Sequence, residues 1–400
     1  MSKSMTVLSA FSGLGGLDLG LEAAGFSHVG CIEQDEWARR SLKANRSDEW
    51  TLLDPGNISL LAPSLRPGTL GLKQRDLGLL AGGPPCQPFS KAAQWSAAAR
   101  VGLGDVRSHC LLDFLDLVKS FLPRAMLIEN VSGFVQGEVS ALSLIEDRLG
   151  AINRSEGTQY ALQKLVVDAS EYGVPQRRHR ALLVACRDGE NFRWPNPTHT
   201  DSPITAWDAI GDLELNDEEL PRPVGKWAAL LPSIPEGQNY LWHTDRGGGE
   251  PIFGYRTRFW SFLLKLKKSE PSWTLSAQPG PSTGPFHWDN RPLAIRELLR
   301  LQSFPDGWVV EGDHRSQVLQ VGNATPPLLA EVVGRALAAQ LFGESFQGRR
   351  LKHRVDRATH IPGARARRQV PEDFLHLVGE HPAHPGSGKG PKPRISDPQV

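Results

Sequence analysis

The 400-residue sequence is poor in cysteine and has almost no excess of charge of either sign. Its four cysteines are Cys31, Cys86, Cys110 and Cys186, and no two of them are close along the chain. This spacing argues against both a disulfide framework and a zinc site, so we expect a cytoplasmic protein with reduced thiols and no bound metal. Lys and Arg number 45 against 44 Asp and Glu. Any surface that attracts nucleic acid must therefore be local.

Long hydrophobic runs are also missing. No apolar run approaches the roughly 20 residues of a membrane-spanning helix, so we expect no membrane association. The first five residues lead straight into an apolar segment and lack a signal-peptide pattern. Because 400 residues exceed what one compact core normally holds, we expect two domains, or one domain with a large insertion.

The segment Leu79 to Ser90 holds one cysteine in a rigid setting. Leu79 to Ala81 has the length of a buried strand, and two glycines and two prolines follow it. The prolines fix the backbone and remove two amide donors. Cys86 therefore follows the carboxyl end of a strand, the region where open α/β sheets place their ligands. Two interpretations stay open, a nucleophile whose sulfur must be aimed and a buried inert thiol.

The N-terminal region has the pattern of a ligand-binding turn. A predicted strand, Thr6 to Phe11, is followed by the glycine-rich turn Ser12 to Leu17 and a helical run from Leu19 to Ala24. This order lets backbone amides and a helix N-terminus approach a ligand closely. A second strand, His28 to Ile32, leads to Glu33, at a place where a carboxylate commonly holds ribose hydroxyls. The pattern favours a nucleoside-containing cofactor, with NAD the weaker candidate because the glycine spacing differs from the dinucleotide fingerprint.

Two further strands bring polar residues to their ends. Ala125 to Val131 reads as a buried strand that carries Glu129 near its end. A carboxylate there is costly unless it is paired or functional, so Glu129 is either a satisfied structural group or one that protonates or hydrogen-bonds a ring nitrogen. Three arginines precede the predicted strand Ala181 to Cys186, and they belong either to a solvated turn or to forked contacts with carbonyl and phosphate oxygens. These are Arg177, Arg178 and Arg180.

Helical spacing and loop composition predict the remaining elements of the chain. Helices are predicted at Asp35–Asn45, Cys110–Phe121, Val139–Leu149, Leu293–Leu301 and up to Phe342 from an N-cap at Thr325. Leu162–Val167 reads as another strand. The segment Gln94 to Ser108 has few large apolar residues and two glycines, which predicts a mobile surface loop.

The composition changes from about residue 191 and again after residue 343. Seven of the 11 tryptophans lie between Trp194 and Trp288, among prolines and basic residues. Such aromatics suit contacts with nucleic acid, and equally the core of a small loop-rich domain. Beyond Gly343 the chain is basic and lacks helical periodicity, so we expect a flexible tail. That tail is either a source of nonspecific attraction to phosphates or an inert extension.

Taken in order, a series of motifs resembles those of the cytosine-C5 DNA methyltransferases. They are Phe11-Ser-Gly-Leu-Gly-Gly16, Glu33, Gly83-Pro-Pro-Cys-Gln-Pro-Phe-Ser90, Glu129-Asn-Val131, Gln176-x-Arg178-x-Arg180, the run from Arg296 to Pro305, and Gly322-Asn323. They span about residues 5 to 342, with a gap near 200–280 where the family keeps its variable recognition region.

The resemblance implies an α/β fold of the S-adenosylmethionine-dependent methyltransferase type. We expect a Rossmann-like, mostly parallel sheet with helices on both faces and a smaller loop-rich target-recognition domain. The implied boundaries are 1–190 for the catalytic and cofactor-binding domain and 191–312 for the recognition domain. A C-terminal helix at 313–343 would return to the catalytic domain, and 344–400 would form the basic tail.

The resemblance also implies roles for individual residues. Cys86 would attack C6 of cytosine, Glu129 would hold or protonate N3, and Arg180, with Arg178 more loosely, would bind the O2 edge and the nearby backbone. The cofactor would be S-adenosyl-L-methionine, leaving as S-adenosyl-L-homocysteine. Its implied binding residues are Phe11, Ser12, Gly13, Leu14, Gly15, Gly16, Glu33 on the ribose, Asn57 on the adenine, Pro85, and Asn323 closing the pocket. Asn57 stands where the family usually has an acid.

The implied substrate is double-stranded DNA, from which the target cytosine must be flipped out. The Gln94 to Ser108 loop would close over the base, and residues 200–280 would read its neighbours. We expect a monomer that most resembles bacterial or phage restriction-modification enzymes; whether a cognate restriction endonuclease exists stays open. Two alternatives are a tRNA-methylating relative, whose Cys-Phe-Thr signature is absent here, and a DNA-binding relative that lost catalysis, against which the intact Cys86, Glu129 and Arg180 argue.

Overall fold

The computed structural model describes residues 5–85, 106–136, 140–344, 351 and 360–381. Its strands are β1 (Thr6–Ala10), β2 (Ser27–Ile32), β3 (Leu79–Gly82), β4 (Ala125–Val131), β5 (Leu162–Asp168) and β6 (His179–Cys186). Its α-helices are α1 (Gly16–Ala23), α2 (Glu36–Arg46), α3 (Ile58–Leu61), α4 (Val106–Phe121), α5 (Leu142–Glu156), α6 (Ala206–Ile210), α7 (Ile295–Leu301), α8 (His314–Asn323), α9 (Pro327–Leu337) and α10 (Glu372–Leu375). Short 3-10 turns occur at Pro67–Leu70, Ser132–Phe134, Ala169–Tyr172, Ala228–Ser233 and Tyr240–His243, and a π-turn at Ala338–Phe342.

The six strands form one sheet in the order β2-β1-β3-β4-β6-β5. Neighbours from β2 to β4 are parallel, whereas β6 runs antiparallel to both β4 and β5. Five strands therefore run in one direction and β6 alone is reversed. The predicted mostly parallel α/β sheet is confirmed. The reversal of β6 brings the start of that strand to the edge where β4 ends.

Helices cover both faces of the sheet. Adjacent residues of β3 point to opposite faces, as expected for a strand. Leu80 packs in one hydrophobic cluster with Phe114 of α4 and Ile145 of α5. Leu79 packs on the opposite face in a cluster that includes residues of α1 and α9. A sheet buried on both faces explains why its central strands read as continuous apolar runs.

Two further clusters divide the tryptophan-rich region. One joins Leu14 and Trp50 from the N-terminal region to Leu299 and Trp308. The other is a separate small core around Leu230–Leu231, Ile234, Tyr240, Ile252–Phe253, Phe262–Leu263, Phe286 and Phe374. Part of the stretch predicted as a recognition domain thus packs with α1, β2 and α2. The boundaries at 191 and 312 stay predictions. Among the helices of the described ranges, none has the length and apolar character needed to cross a membrane.

The start of the C-terminal helix differs from the prediction. Thr325 is not the N-cap, because Pro327 occupies the first helical position and Pro326 the cap. The preceding helix α8, capped by Asp313, was not predicted. The Thr325 side chain therefore does not cap the helix and can bond to a residue outside it.

The predicted flexible tail also differs where it is described. Residues 360–381 lie against the small core, α10 forms within them, and Phe374 is only 6% exposed. Val370 and Leu377 pack against the same core. A few well-placed apolar residues therefore order a segment whose composition predicted disorder. Of the predicted loop Gln94 to Ser108, residues 94–105 lie outside the described ranges and Val106 begins α4.

The contact between α1 and α9 generates a stability prediction. A Cβ added at Gly20 would lie 2.3 Å from the Pro327 carbonyl oxygen and 2.4 Å from the Ala330 Cβ. We expect Gly20→Ala to lower the free energy of unfolding by about 1–3 kcal/mol, because overpacking outweighs the better helix propensity of alanine. The measurement is urea-induced unfolding monitored by circular dichroism.

Gly150 in α5 is the matched control. A Cβ there would meet only the Arg154 Nη1 atom, at 3.5 Å. Gly150→Ala should therefore be neutral or stabilising by up to about 1 kcal/mol. Equal effects of the two substitutions would contradict the close packing of α1 on α9.

Candidate active site

The glycine-rich turn lies at the carboxyl end of β1 and leads into α1. Phe11, Gly13 and Gly15 have positive φ angles of 59°, 54° and 84°. A Cβ added at Gly16 would lie 2.0 Å from the Thr325 carbonyl oxygen, so this position has room only for glycine. The turn thus presents backbone amides at the sheet edge and touches the α8–α9 connection.

The side chains of the turn face the protein interior. Ser12 is buried and its hydroxyl donates to the Asp18 Oδ1 atom at 3.4 Å. Leu14 is buried in the cluster with Trp50, and its carbonyl accepts from the Trp308 indole at 3.2 Å. A ligand at this turn would therefore meet mainly backbone atoms.

Glu33 closes one side of the turn. Its Oε2 atom accepts from the Gly13 amide and its Oε1 atom from the Asp35 amide, both at 2.7 Å. Burial raises the pKa of the Glu33 carboxyl above its usual 4.5, and the hydrogen bonds from Asp35 and Gly13 oppose that rise. The remaining lone pairs of this carboxylate suit the hydroxyl donors of a ribose.

The other predicted cofactor residues are Asn57, Asn323 and Pro85, and the structure describes the surroundings of each. The Asn57 amide donates to the Gln34 side chain at 3.2 Å, which places Asn57 beside the residue after Glu33. Asn323 is the last residue of α8 and is exposed. Pro85 is half-buried and is the last described residue before the cysteine loop.

Glu129 and Arg180 form the second half of the site. Val131 of β4 pairs with Arg180 of β6, so Glu129 and Arg180 are diagonal neighbours on one face of the sheet. The Arg180 Nε atom lies 2.8 Å from the Glu129 Oε1 atom. The Thr325 hydroxyl donates to the Oε2 atom at 3.1 Å. One oxygen of this buried carboxylate therefore accepts a hydrogen bond, whereas the Oε1 atom lies in an ion pair with Arg180 and accepts no hydrogen bond from the described residues.

The loop that carries Cys86 starts beside this carboxylate. A Cβ added at Gly83 would lie 3.5 Å from the Glu129 Oε2 atom. The Asn130 amide donates to the Pro84 carbonyl at 2.8 Å and ties the loop to the end of β4. Cys86 itself lies outside the described residues, so the position of its sulfur stays a prediction.

Arg178 is placed differently from the prediction. It is 1% exposed, and its Nη2 atom donates to the carbonyls of Gly322, at 2.8 Å, and Ala324, at 3.1 Å. The described geometry makes it a positioning residue that holds the α8–α9 connection, and does not support contact with the cytosine O2 edge.

Sequence reasoning missed Thr325 and Asn130 as site residues. The sequence held a signal for Thr325, because two consecutive prolines follow it and either can occupy the first helical position. When Pro327 does so, Pro326 is the N-cap and the Thr325 side chain does not cap the helix. Asn130 belongs to a motif that the sequence analysis recognised. Its bond to Pro84 could not be predicted, because it depends on the pairing of β3 with β4 in the sheet.

Two solved structures share the fold of this chain. A protein described as a DNA modification methyltransferase encoded within an E. coli prophage matches with a TM-score of 0.59 and 24% identity, covering 85% of this chain and 100% of that one. The Entamoeba histolytica methyltransferase EhMeth matches with a TM-score of 0.56 and 17% identity, covering 85% and 99%. At these identities the likeness concerns the fold, which is that of the methyltransferases.

The family follows from the sequence comparisons. The model described as C-5 cytosine-specific DNA methylase matches residues 5–339. The chain is 36% identical over 376 residues to the type II methyltransferase M.SacI of Streptomyces achromogenes, covering 85% of this chain and 94% of that protein. It is 32% identical to M.Eco47II of Escherichia coli, covering 83% and 78%. The chain belongs to the C-5 cytosine-specific DNA methylase family and is a DNA (cytosine-5-)-methyltransferase.

The Thr325 hydroxyl generates a prediction about turnover. Thr325→Val keeps the shape of the side chain but removes the donor to the Glu129 Oε2 atom. A hydrogen bond to a charged group contributes about 1.5–3 kcal/mol, so we expect turnover to fall about tenfold or more. The measurement is the initial rate of methyl transfer at saturating DNA and cofactor.

Thr325→Ser is the matched control, because it restores the hydroxyl and should retain most of the turnover. Thermal unfolding of both variants checks that the fold is kept. Full turnover in the valine variant would show that this hydrogen bond does not serve the reaction.

Proposed function

We propose that the protein transfers a methyl group from S-adenosylmethionine to C5 of a flipped-out cytosine in a specific double-stranded DNA sequence. The reaction would pass through a covalent bond between the Cys86 sulfur and C6 of the base. The observation that carries this proposal is the position of Glu129. Its carboxylate lies beside the start of the cysteine loop and, through Thr325, next to the cofactor turn.

The chemistry of cytosine requires a nucleophile. C5 is a poor nucleophile by itself, and attack by a thiolate at C6 gives C5 the character of an enamine carbon. A free thiol has a pKa of about 8.5, so the site must favour the thiolate of Cys86 or activate it when the base binds. After C5 has gained the methyl group, a base removes the C5 proton and the C6–sulfur bond breaks, which restores the aromatic ring and the enzyme.

Glu129 and Arg180 would stabilise the charge that develops in the ring. Attack at C6 pushes electrons toward N3 and O2, so a group that holds or protonates N3 favours the step. Arg180 lies against the Glu129 Oε1 atom and its Nη1 atom donates to the His179 carbonyl at 2.8 Å, so its Nη2 atom would contact the O2 edge. Asn130 would position the cysteine loop, and Arg178 would position Thr325.

The N-terminal turn fits the proposed cofactor. S-adenosylmethionine supplies an electrophilic methyl group when it is bound. Phe11 to Gly16 would cradle it with backbone amides, Glu33 would accept the ribose hydroxyls, and Asn57 would contact the adenine. Pro85 and Asn323 would line the remaining sides. The close approach of the Thr325 carbonyl to Gly16 supports this arrangement, because it brings the turn and the base-binding carboxylate to one edge.

The tryptophan-rich region would bind the DNA around the target. Tyr255, Phe259 and Trp260 are exposed aromatic residues within six positions, and the Arg246 guanidinium lies 4.2 Å from the Tyr255 ring centroid. Aromatic and arginine side chains in loops suit contacts with DNA bases and phosphates. Because the relatives are type II methyltransferases, we infer a modification enzyme of a restriction-modification system, acting in the cytoplasm as a monomer.

Bisulfite sequencing tests the proposal directly. Wild-type protein expressed in a host that lacks cytosine methylation should protect cytosines in one sequence context. Cys86→Ala should abolish that protection while cofactor and DNA binding change little, because only the covalent step needs the sulfur. No protected cytosine with wild type would favour a tRNA-methylating enzyme or a silent DNA binder. Loss of cofactor binding in the alanine variant would indicate misfolding.

The raised pKa of Glu33 generates a second prediction. Ribose hydroxyls bind best to the ionised carboxylate, so affinity for S-adenosylmethionine should fall as the pH is lowered through that raised pKa. Glu33→Gln should bind the cofactor about tenfold or more weakly at neutral pH and should lose this pH dependence. Isothermal titration between about pH 5 and 8 measures both effects.

The matched control is Glu36→Gln. Glu36 lies three residues further along the chain in the exposed first turn of α2. This variant removes the same charge and should bind like wild type at every pH. An unchanged pH dependence in Glu33→Gln would rule out Glu33 as the titrating group.

A further inference from the structure

The C-terminal segment 360–381, called here the return segment, lies beyond the family match, which ends at residue 339. It crosses back onto the tryptophan-rich region. The ring of Phe374 stacks on Trp227 with centroids 5.6 Å apart and an interplanar angle of 22°. The Arg368 amide donates to the Pro232 carbonyl at 2.9 Å, and the Gly379 amide to the Pro251 carbonyl at 3.2 Å. The segment is thus held on both sides of its anchor.

Polar contacts fix the first half of the return segment. The Lys268 ammonium donates to the Glu236 Oε1 atom at 2.6 Å and to the Gly363 carbonyl at 3.3 Å. The Arg365 amide donates to the same Glu236 oxygen at 3.1 Å. A buried ion pair needs such additional hydrogen bonds to offset the loss of water. The return segment therefore completes the recognition region and is not a loose appendage.

The return segment presents arginines to solvent. Residues 363–369 contain Arg365, Arg367 and Arg368 and no acid, and all three are exposed. Arg365 pairs with Asp289 at 2.9 Å, which neutralises part of its charge. The Arg367 guanidinium lies 5.2 Å from the Trp242 ring centroid. Arg367 and Arg368 thus add positive charge to this face.

Basic side chains of the recognition region lie on the same anchor. The Lys226 ammonium is 5.0 Å and the Arg258 guanidinium 5.9 Å from the centroid of Trp227, the ring on which Phe374 stacks. The return segment therefore adds Arg367 and Arg368 to the two basic side chains near Trp227, although the exposed acids Glu372 and Asp373 directly precede Phe374.

That surface continues to the candidate active site. Trp260 follows Arg258 by two residues and packs edge-on against Trp273, with centroids 5.8 Å apart. The Arg177 guanidinium lies 5.0 Å from the Trp273 ring centroid, and Arg177 directly precedes Arg178. Arginine and aromatic side chains thus occur from the return segment to Arg177, whose guanidinium also pairs with Glu270 at 2.9 Å.

We propose that the return segment is part of the DNA-binding surface, and that Arg367 and Arg368 contact phosphates of the duplex beside the target site. The proposal rests on the proposed function, in which duplex DNA lies along the recognition region. Arginine suits phosphate because its planar guanidinium donates two parallel hydrogen bonds. Such contacts strengthen binding to every sequence without changing which base is methylated.

The experiment uses the full-length protein with the double variant Arg367→Ala/Arg368→Ala. We expect the KM for DNA to rise about tenfold and kcat to stay near the wild-type value, because phosphate contacts position the duplex and take no part in the chemistry. The slope of log affinity against log salt should fall by about two, since each phosphate that an arginine neutralises adds roughly 0.9 to that slope. Equilibrium binding to a labelled duplex, measured without cofactor, gives the slope.

Two further variants make the result decisive. Arg154→Ala/Lys164→Ala removes the same charge from exposed positions on α5 and β5 and should leave DNA binding as in wild type. Phe374→Ala should weaken DNA binding like the arginine variant and make the return segment susceptible to limited proteolysis, because its anchor is removed.

The outcomes separate this proposal from the proposed function. Wild-type binding and salt dependence in Arg367→Ala/Arg368→Ala would overturn the proposal, as would equal losses in Arg154→Ala/Lys164→Ala, which would indicate an effect of net charge alone. If the wild-type protein bound the duplex through these arginines yet methylated no cytosine, the proposed function would fail while the surface stood.

Discussion

The buried carboxylate of Glu129, held between Arg180 and Thr325, is the interaction on which the rest of the site depends. A buried charge is tolerated only when it is paired and hydrogen-bonded. The carboxylate, its ion-pair partner Arg180 and its hydrogen-bond donor Thr325 come from three separate parts of the chain, and each part is placed by a larger feature of the fold. Reversal of β6 brings Arg180 beside β4, and the bonds from Arg178 to the α8–α9 connection hold Thr325 in reach. The same edge carries the glycine turn and the start of the cysteine loop.

Close packing of α1 and α9 explains why the last third of the chain completes a site built by the first half. Gly16 and Gly20 let the Thr325 and Pro327 carbonyls approach α1 to distances that no side chain would allow. The approach places residues separated by about 300 positions of the sequence against one another. The tryptophan-rich region divides between a cluster continuous with this arrangement and a small core of its own, to which Phe374 contributes. The glycine turn and the tryptophan-rich region therefore share one framework.

Much of the fold could be predicted because its signals are local. The apolar run from Ala125 to Val131 predicted β4 with the bounds observed, and Asp35, where the predicted second helix begins, is the N-cap of α2. The site was predicted less completely. Glu33 and Glu129 lie at strand ends that hydrophobic patterning reveals, whereas the role of Thr325 depends on which of two prolines begins a helix. The order of residues 360–381 was missed because a basic composition suggested disorder, although one aromatic anchor and a buried ion pair suffice to hold the segment.

The sequence by itself determined most of the strands and helices, the glycine turn, the family through the order of its motifs, and the candidate residues for the chemistry. These follow from periodicity, from glycine and proline, and from side-chain type, all of which act over a few neighbouring residues. Only the tertiary structure decided three long-range contacts. Arg178 bonds to the α8–α9 connection whereas Arg180 faces Glu129. Thr325 bonds to a carboxylate 196 residues away, and the C-terminal segment packs on the tryptophan-rich region. Contacts at such separations depend on how elements pack, and packing is a property of the whole fold that no local pattern encodes.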